Sequence, residues 1–530
     1  MFLTSKIEEI ISSVLGDESL SIKINVEVPR VAKFGDFSSN VAMKLAPVLK
    51  KSPLEIAKDL VVKLKENAFF KEVSIEGPGF INFKLSNEAF AKSLAFQISN
   101  KIKSEKKGEK ILVEYGSANP TGPLHVGHGR NIIVGDVVAN VLSFLGYDVL
   151  REYYINDAGA QISNLEASLY ARCKEHVGEE VTFPEEGYRG DYVKEMASDF
   201  IEEYGGDLEA SRGYMRGFAL KWSLNNIEKS VESLGVKYSS WISEASLHEN
   251  SALPKMLEQL KEKKVCYEKD GALWSRTTSY GDDKDRVILK NDGTPSYYAS
   301  DILYSRNKVG RGYNKNVTML GADHHGYLIR FDATFSMWGG SNESVLIQLV
   351  QLYRGGELVK MSKRAGNFYM LDDLLKEVDG DIVRAFFLMR RSDTSLDFDI
   401  DLANSKSNDN PYHYIQYAHA RISSILREID YKGPQLEEKL LFSSGEEKQL
   451  IKGLDKFEDT IKRVGENLEV HLLLNYAKEL ASLFHTFYSK NRVIVEDEII
   501  KCSRIALCFK AKETIGTLLK IMGIKPLEKM

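Results

Sequence analysis

The chain is poor in cysteine and has no long apolar run, and both shortages narrow what it can be. Its four cysteines, Cys173, Cys266, Cys502 and Cys508, never fall at a CxxC or Cys/His spacing. Neither a disulfide framework nor a zinc site is expected, and a reducing cytoplasm fits. The opening stretch MFLTSKIEEIISSVL interrupts its apolar residues with Lys6, Glu8 and Glu9 in a helical rhythm, unlike the unbroken apolar region of a signal peptide. No apolar run elsewhere is long enough to span a bilayer, so the sequence predicts a soluble protein with no membrane partner. Twelve prolines leave little room for long disordered arms. With a net charge of -5 and a pI near 6.2, the chain has no overall basic footprint for nucleic acid, and any such site must be local.

What is present points to several domains. A length of 530 residues exceeds what one hydrophobic core supports, and suggests roughly two to four domains. Residues 1 to about 105 mix helical patterns with short alternating runs, as in VSIEGPGFINFKL, where Gly77, Pro78 and Gly79 read as a turn. KIKSEKKGEK at 101–110 reads as a polar linker or a solvated helix end. From 106 to about 400 the rhythm is strand, loop, helix. ILVEY at 111–115 is a short strand, and apolar residues recur at helical spacing from Val126 through Ile133, Val137 and Val141. The pattern returns at NVTMLGADHHGYLIRFDATF and begins again at ESVLIQLVQLY, which predicts a Rossmann-like parallel sheet with ligands at the carboxyl ends of its strands. An insertion at about 165–285 carries no motif with readable chemistry. From 401 to 530 apolar residues repeat every three or four positions, which predicts an α-helical bundle.

Between the first strand and its helix lies ANPTGPLHVGHGR. Little side-chain bulk at Gly122 and Gly127 would let a nucleotide pack on backbone, the helix N-terminus offers amides to phosphate, and His125 and His128 add polar, potentially cationic donors. Alone this is a weak signal, since such histidines also serve as caps. Its partner is KMSKRAGN at 360–367, where Lys360 and Lys363 could meet a triphosphate and stabilise departing pyrophosphate. In this order and frame the pair resembles the HIGH and KMSK signatures of class I aminoacyl-tRNA synthetases. Glu114 ends the first strand, Asn119 lies in the loop, and Tyr297 and Asp301 are one helical turn apart in SYYASDILYSR. Two carboxylates on one pocket would suit a cation, and a guanidinium could use both oxygens of one of them.

The resemblance then becomes close. FGDFSSNVAMKLA, VEYGSANPTGPLHVGHGRN, REYYINDAGAQI, LGADHHGYLIR, KMSKRAGN and NPYHYIQYAHARI together are similar to bacterial-type arginyl-tRNA synthetases along nearly the whole chain. The resemblance implies that Glu114, Asn119, Tyr297 and Asp301 hold substrate arginine. It implies that Gly122, His125, Gly127, His128, Lys360, Met361, Ser362 and Lys363 serve ATP with Mg2+. Ser117, Asp323, His324 and His325 are expected near the site, and spacing does not decide which of the last three touches substrate. The family also implies attack by the tRNA terminal 2'-hydroxyl, adenylate formation only with tRNA bound, and an N-terminal module at the tRNA corner; a monomer is expected. In the bundle, Tyr412, Tyr414 and Tyr417, with Lys406 and Arg421, offer stacking faces and phosphate partners for an anticodon loop, although each tyrosine could equally be bundle core. By resemblance Tyr414 is the stacking residue. A small-molecule adenylyltransferase and a non-catalytic RNA-binding relative are the rival readings, disfavoured by the helical bundle and by the intact motifs.

Overall fold

The computed structural model describes the chain except residues 17–21, 30, 101–104, 250, 360–368, 432 and 434–438, and the side chains of 32 and 323–325. Lys360, Met361, Ser362 and Lys363 therefore lie outside the described residues, as do the side chains of Asp323, His324 and His325.

The first four strands are β1 (Val26–Glu27), β2 (Phe37–Ser39), β3 (Phe70–Glu76) and β4 (Phe80–Leu85). They pair antiparallel in the order β1-β2-β4-β3. The expected turn joins β3 to β4, with Gly77 at φ 56° and Gly79 at φ 125°, conformations that favour glycine. Four helices, Phe2–Leu15, Val41–Leu49, Pro53–Leu64 and Asn87–Ser99, accompany this sheet.

The central sheet is built from β5 (Lys110–Glu114), β6 (Asp148–Ile155) and β7 (Ser240–Ser243), joined later in the chain by β11 (Lys315–Gly321) and β12 (Ser341–Ile347). Its order is β12-β11-β5-β6-β7, with every pair parallel. β5 is the middle strand, and the chain leaves it toward β6 and returns later to β11 on the other side. That reversal opens a crevice at its carboxyl end, where the Gly116–Leu124 loop begins. Lys110 already belongs to β5, so the polar linker ends before it.

Two sequence expectations are refined. The segment at about 165–285 folds as two pieces, one either side of edge strand β7. The first is helical, Ala160–His176, Asp191–Tyr204 and Met215–Ser233, with its own core around Leu169, Met196, Phe200 and Met215. The second carries the antiparallel sheet β8 (Cys266–Lys269), β9 (Ala272–Ser275) and β10 (Arg286–Leu289), and packs on the helix Tyr297–Gly310. Likewise ESVLIQLVQLY is two strands. After β12 the chain turns at Gln348 and enters a small sheet of β13 (Val350–Arg354), β14 (Glu357–Leu358) and β15 (Leu396–Asp399). The sequence hides such a break, because no glycine or proline marks it and the two strands differ only in their partners.

Helices Pro411–Glu428, Gly445–Asp455, Phe457–Asn467, His471–Lys490 and Glu498–Ile521 form the expected bundle. The N-terminal module docks on it. The amides of Phe2 and Leu3 donate to the Asp455 carboxylate at 2.9 and 3.0 Å, and Lys452 reaches Asp36 at 2.9 Å.

One guanidinium ties these parts together. Arg384, 1% exposed, donates to the Met522 carbonyl at 2.9 Å, to the Leu234 carbonyl at 2.9 Å and to the Asp136 carboxylate. Gly523, at φ 72°, leaves it room, since a Cβ there would sit 2.0 Å from the Arg384 Nη2. Arg384→Met should strand a buried carboxylate and two carbonyls and cost about 3 to 5 kcal/mol. Urea denaturation with the wild-type chain alongside checks this, and an unchanged midpoint would remove Arg384 from this role.

Candidate active site at the carboxyl end of β5

The helix Val126–Phe144 starts where it does because of its two histidines. His125 is the N-cap, and its Nδ1 accepts from the amides of Gly127 at 3.1 Å and His128 at 3.3 Å. The His128 Nδ1 accepts in return from the His125 amide at 3.3 Å, a reciprocal cap in which imidazoles replace the usual hydroxyl and carboxylate. The rings stack at 3.5 Å. Gly127 fits this stack, as a Cβ there would meet the His125 ring at 3.0 Å.

The cap has a chemical consequence. A ring nitrogen that accepts from a backbone N–H carries no proton, so each neutral imidazole bears its proton on Nε2. Burial, helped by the His125 ring, lowers the His128 pKa to about 3. The expectation of cationic donors is thus corrected for His128, which is neutral at pH 7. It offers an N–H, not a charge.

The loop is held from several sides. The Gly116 amide donates to Asn131 Oδ1 at 2.7 Å, and the Tyr153 hydroxyl bridges the amide and carbonyl of Ala118 at 2.9 and 3.1 Å. From the helical piece, the Tyr192 hydroxyl donates to the Thr121 carbonyl at 2.8 Å, and its ring covers Gly122, where a Cβ would approach to 2.9 Å. This piece, opaque in the sequence, is a wall of the loop. On the far side Val126 and Leu371 pair with Tyr369 and Leu124 at 3.2 and 2.8 Å, so the residues that follow the 360–368 segment lie against the histidine loop.

The substrate candidates are placed unequally. Glu114 is half-buried at the end of β5, and its Oε2 accepts from Lys308 Nζ at 2.5 Å. Ser117, at φ 41°, spans 3.5 Å to Glu114 Oε1 and accepts from the Tyr154 amide at 3.1 Å. Asp301 faces Arg330, with Oδ2 at 2.8 Å from Nη2. Burial raises Asp301 to about 6, against the pull of Arg330 and with help from Glu244 and Glu114. Asn119 is exposed, and its carbonyl accepts from Thr121 at 2.8 Å. Tyr297 opens its helix 98% exposed, so the shared face leaves it at the rim while Asp301 lies deeper. The sequence reading missed Lys308, Arg330, Tyr153 and Tyr192. Lys308 alone carried a signal, since it lies two helical turns beyond Asp301.

The arrangement is a helix start capped by two imidazoles at the carboxyl end of a parallel sheet, with Glu114 and Asp301 near enough to feel each other's charge. Comparison with known proteins gives it a lineage. Residues 1–85 match the family described as Arginyl tRNA synthetase N terminal domain, and residues 92–399 match tRNA synthetases class I (R), catalytic domain. Residues 415–530 match the DALR anticodon binding domain. The arginine–tRNA ligase of Bacillus subtilis (strain 168) is 42% identical over 538 residues, 98% of this chain and 97% of that protein. That of Listeria monocytogenes serovar 1/2a is 41% identical over 546 residues, 100% of this chain and 98% of its own. The chain belongs to the arginyl-tRNA synthetase family. The Thermus thermophilus arginyl-tRNA synthetase structure, only 21% identical, has a TM-score of 0.76 over 99% of this chain and 100% of that one, so the fold is shared from end to end.

Within this synthetase fold the bundle tyrosines separate. Tyr412 is buried at 7% exposure, whereas Tyr417 is 51% exposed and Tyr414 half-buried. Tyr417 stacks on His485 at 5.5 Å, and Tyr414 tilts against the same ring at 4.9 Å. Arg421 binds the Tyr488 hydroxyl through Nε at 3.0 Å, and Lys406 is exposed. The alternative weighed for each tyrosine, bundle core, fits Tyr412.

Histidine NMR checks the cap. An unfolded histidine titrates near 6.5, so the unfolded chain takes up this proton first, and the His128 contribution to stability falls as pH drops from 6.5 toward 3. His128 should stay neutral at pH 5, and a titration near 6.5 would contradict the stacked arrangement.

Proposed function

We propose that the chain ligates arginine to tRNA in two steps at the β5 crevice. In the first, the arginine carboxylate attacks the α-phosphorus of ATP, the bond to the β-phosphate breaks, and pyrophosphate leaves. In the second, the terminal 2'-hydroxyl of the tRNA attacks the adenylate carbonyl and AMP departs. The observation that carries this reading is the pair of capped histidines beside Glu114 and Asp301, in a chain whose family is named for arginine and tRNA.

The protein mainly positions and neutralises. The Nε2–H groups of His125 and His128 hold the α-phosphate and ribose side of ATP, with Gly122 and Gly127 admitting the nucleotide to the backbone. Lys360 and Lys363, with Met361 and Ser362 between them, stabilise pyrophosphate as it leaves. Mg2+ arrives on the triphosphate and neutralises its charge. Glu114 and Asp301 receive the substrate guanidinium, and Asn119 and Tyr297 close over it from the rim. Ser117, which holds the backbone of β6 through Tyr154, orders the floor of the pocket. Asp323, His324 and His325 follow β11 and border the same crevice. Residues 106–400 form the catalytic domain, residues 1–105 meet the tRNA corner, and residues 401–530 read the anticodon, with Tyr414 and Tyr417 as stacking faces beside Arg421. The protein works in the cytoplasm as a monomer.

Arginine-dependent exchange of pyrophosphate into ATP, run with and without tRNA and with lysine as control, tests the whole reading. Exchange is expected with arginine and tRNA together. Exchange without tRNA would keep the activity and discard the coupling, and none in any condition would leave a binding protein. A narrower test separates capping from chemistry. Asparagine is an excellent N-cap but lacks the Nε2–H, so His125→Asn should keep its melting temperature and lower single-turnover adenylation roughly a hundredfold or more. Loss of both would assign His125 to the fold alone.

A further inference from the structure

Both carboxylates of the arginine pocket already have a cation. Lys308, 1% exposed in the helix that also carries Asp301, donates to Glu114 Oε2 at 2.5 Å. Its ammonium lies 4.1 Å from the Tyr304 ring centre and 5.3 Å from that of Phe335, and the Tyr304 hydroxyl donates to Glu152 at 2.9 Å. Glu152 in turn accepts from Arg311 at 2.7 and 2.9 Å and from Ser240 at 2.9 Å, so Arg311 is committed to Glu152 and leaves Lys308 to Glu114. On the other side, Arg330 lies against Asp301 Oδ2 at 2.8 Å as an ion pair outside hydrogen-bond geometry, and is held over the Tyr327 ring at 4.2 Å. Each internal cation therefore lies on one oxygen of one carboxylate.

We propose that Lys308 and Arg330 are positioning residues that each occupy one oxygen of Glu114 and Asp301, so that the pocket meets the substrate guanidinium with one oxygen from each carboxylate. The sequence had suggested a fork in which one carboxylate used both oxygens. Two single contacts from opposite walls demand a ligand with separated N–H groups in one plane, which a guanidinium has and an ammonium lacks. They also leave the occupied pocket with two carboxylates facing three cations, where a bare acidic pocket would face one. The proposal rests on the assignment of Glu114 and Asp301 to arginine.

Among the described residues, the charged and titratable groups facing Asp301 are Arg330, Glu244, Glu114, Tyr298 and Tyr154. Of these, Arg330 is the one that favours the carboxylate, and the acids oppose it. Arg330→Gln should therefore shift the acid limb of kcat/KM for arginine to higher pH, because more of Asp301 stays protonated. The KM for ATP should remain within about twofold of its value.

Lys308→Met keeps the length and removes the charge. In steady-state aminoacylation by the full-length enzyme it should raise the KM for arginine at least roughly tenfold, with the KM for ATP unchanged. Glu114→Gln should do the same, and the double variant should be no worse than Glu114→Gln alone, because Lys308 acts through Glu114. Additive losses, or a rise in both KM values, would make Lys308 a structural residue and overturn the proposal. An unmoved acid limb in Arg330→Gln would overturn it for Arg330. Should Glu114→Gln leave the arginine KM unchanged, the assignment of the pocket fails first, and that outcome is distinct from the other two.

Discussion

The helix Val126–Phe144 is buried nearly all round, and that burial obliges the polar groups on it to find partners inside the protein. Arg130 donates through Nη1 to the carbonyls of Gln348 and Thr394 and through Nη2 to that of Arg391, at 2.8 to 2.9 Å, and so grips the chain where β12 gives way to β13, while its buried Nε stays without a partner among the described residues. Asn131 holds the Gly116 amide. Asp136 takes Arg384, and Asn140 donates to the Ile521 carbonyl at 3.1 Å. Such a list is the opposite of an amphipathic helix with one wet face. Together the partners reach from the Gly116–Leu124 loop, past the ends of β12 and β15, to Ile521 in the bundle.

The pocket obeys the same rule with higher stakes. A carboxylate withdrawn from water costs several kcal/mol unless it is paired, so two neighbouring acids such as Glu114 and Asp301 cannot both stay bare. Lys308 and Arg330 answer that requirement, and Asp301 shows the strain that remains, held at about 6 by burial although Arg330 touches it. Glu152, more deeply buried, is the contrasting case. Burial opposes its ionisation, but the Arg311 hydrogen bonds and the charges of Lys308 and Arg311 more than compensate, and it sits below the ordinary carboxylate range. The difference between the two acids is the number of donors each has.

Much of this was legible in the sequence, because motifs report local chemistry. The strand, the loop and the helix start at Val126 could be read from apolar spacing and glycines, and the bundle from its three-to-four repeat. What could not be read depends on distant partners. Lys308 and Arg330 look like solvated helix charges until β5 is laid against them. β7 is four residues long, SWIS, with no alternation to announce it, yet it divides the supposed insertion in two. The sequence leaves the histidines as polar, potentially cationic donors or as caps, since it cannot show that backbone amides claim their Nδ1 atoms. Tyr412, Tyr414 and Tyr417 share one helix and similar spacing, and packing, such as that of helix His471–Lys490 with its His485 against Tyr414 and Tyr417, is what separates core from surface.

The same helix also limits how the two ends of the molecule can move. Its 19 residues span roughly 28 Å at 1.5 Å per residue. At one end are His125 and His128, and toward the other are Asp136 and Asn140, fastened through Arg384 and directly to residues 521 and 522. For the bundle to shift against the sheet and leave the histidines in place, the Asn140 bond to the Ile521 carbonyl would have to open, together with either the Arg384 bond to the Met522 carbonyl or the buried Arg384–Asp136 pair, the pair alone costing about 3 to 5 kcal/mol. Carrying the helix along opens no such pair, and an α-helix transmits displacement along its axis with little compression. A force applied at the bundle therefore reaches the histidine-capped end of the helix by the cheaper of two routes, whereas a force on the helical piece around Tyr192 meets the loop through one hydrogen bond to Thr121 and a ring on Gly122. The stiff path is the one that connects the end of the chain to its chemistry.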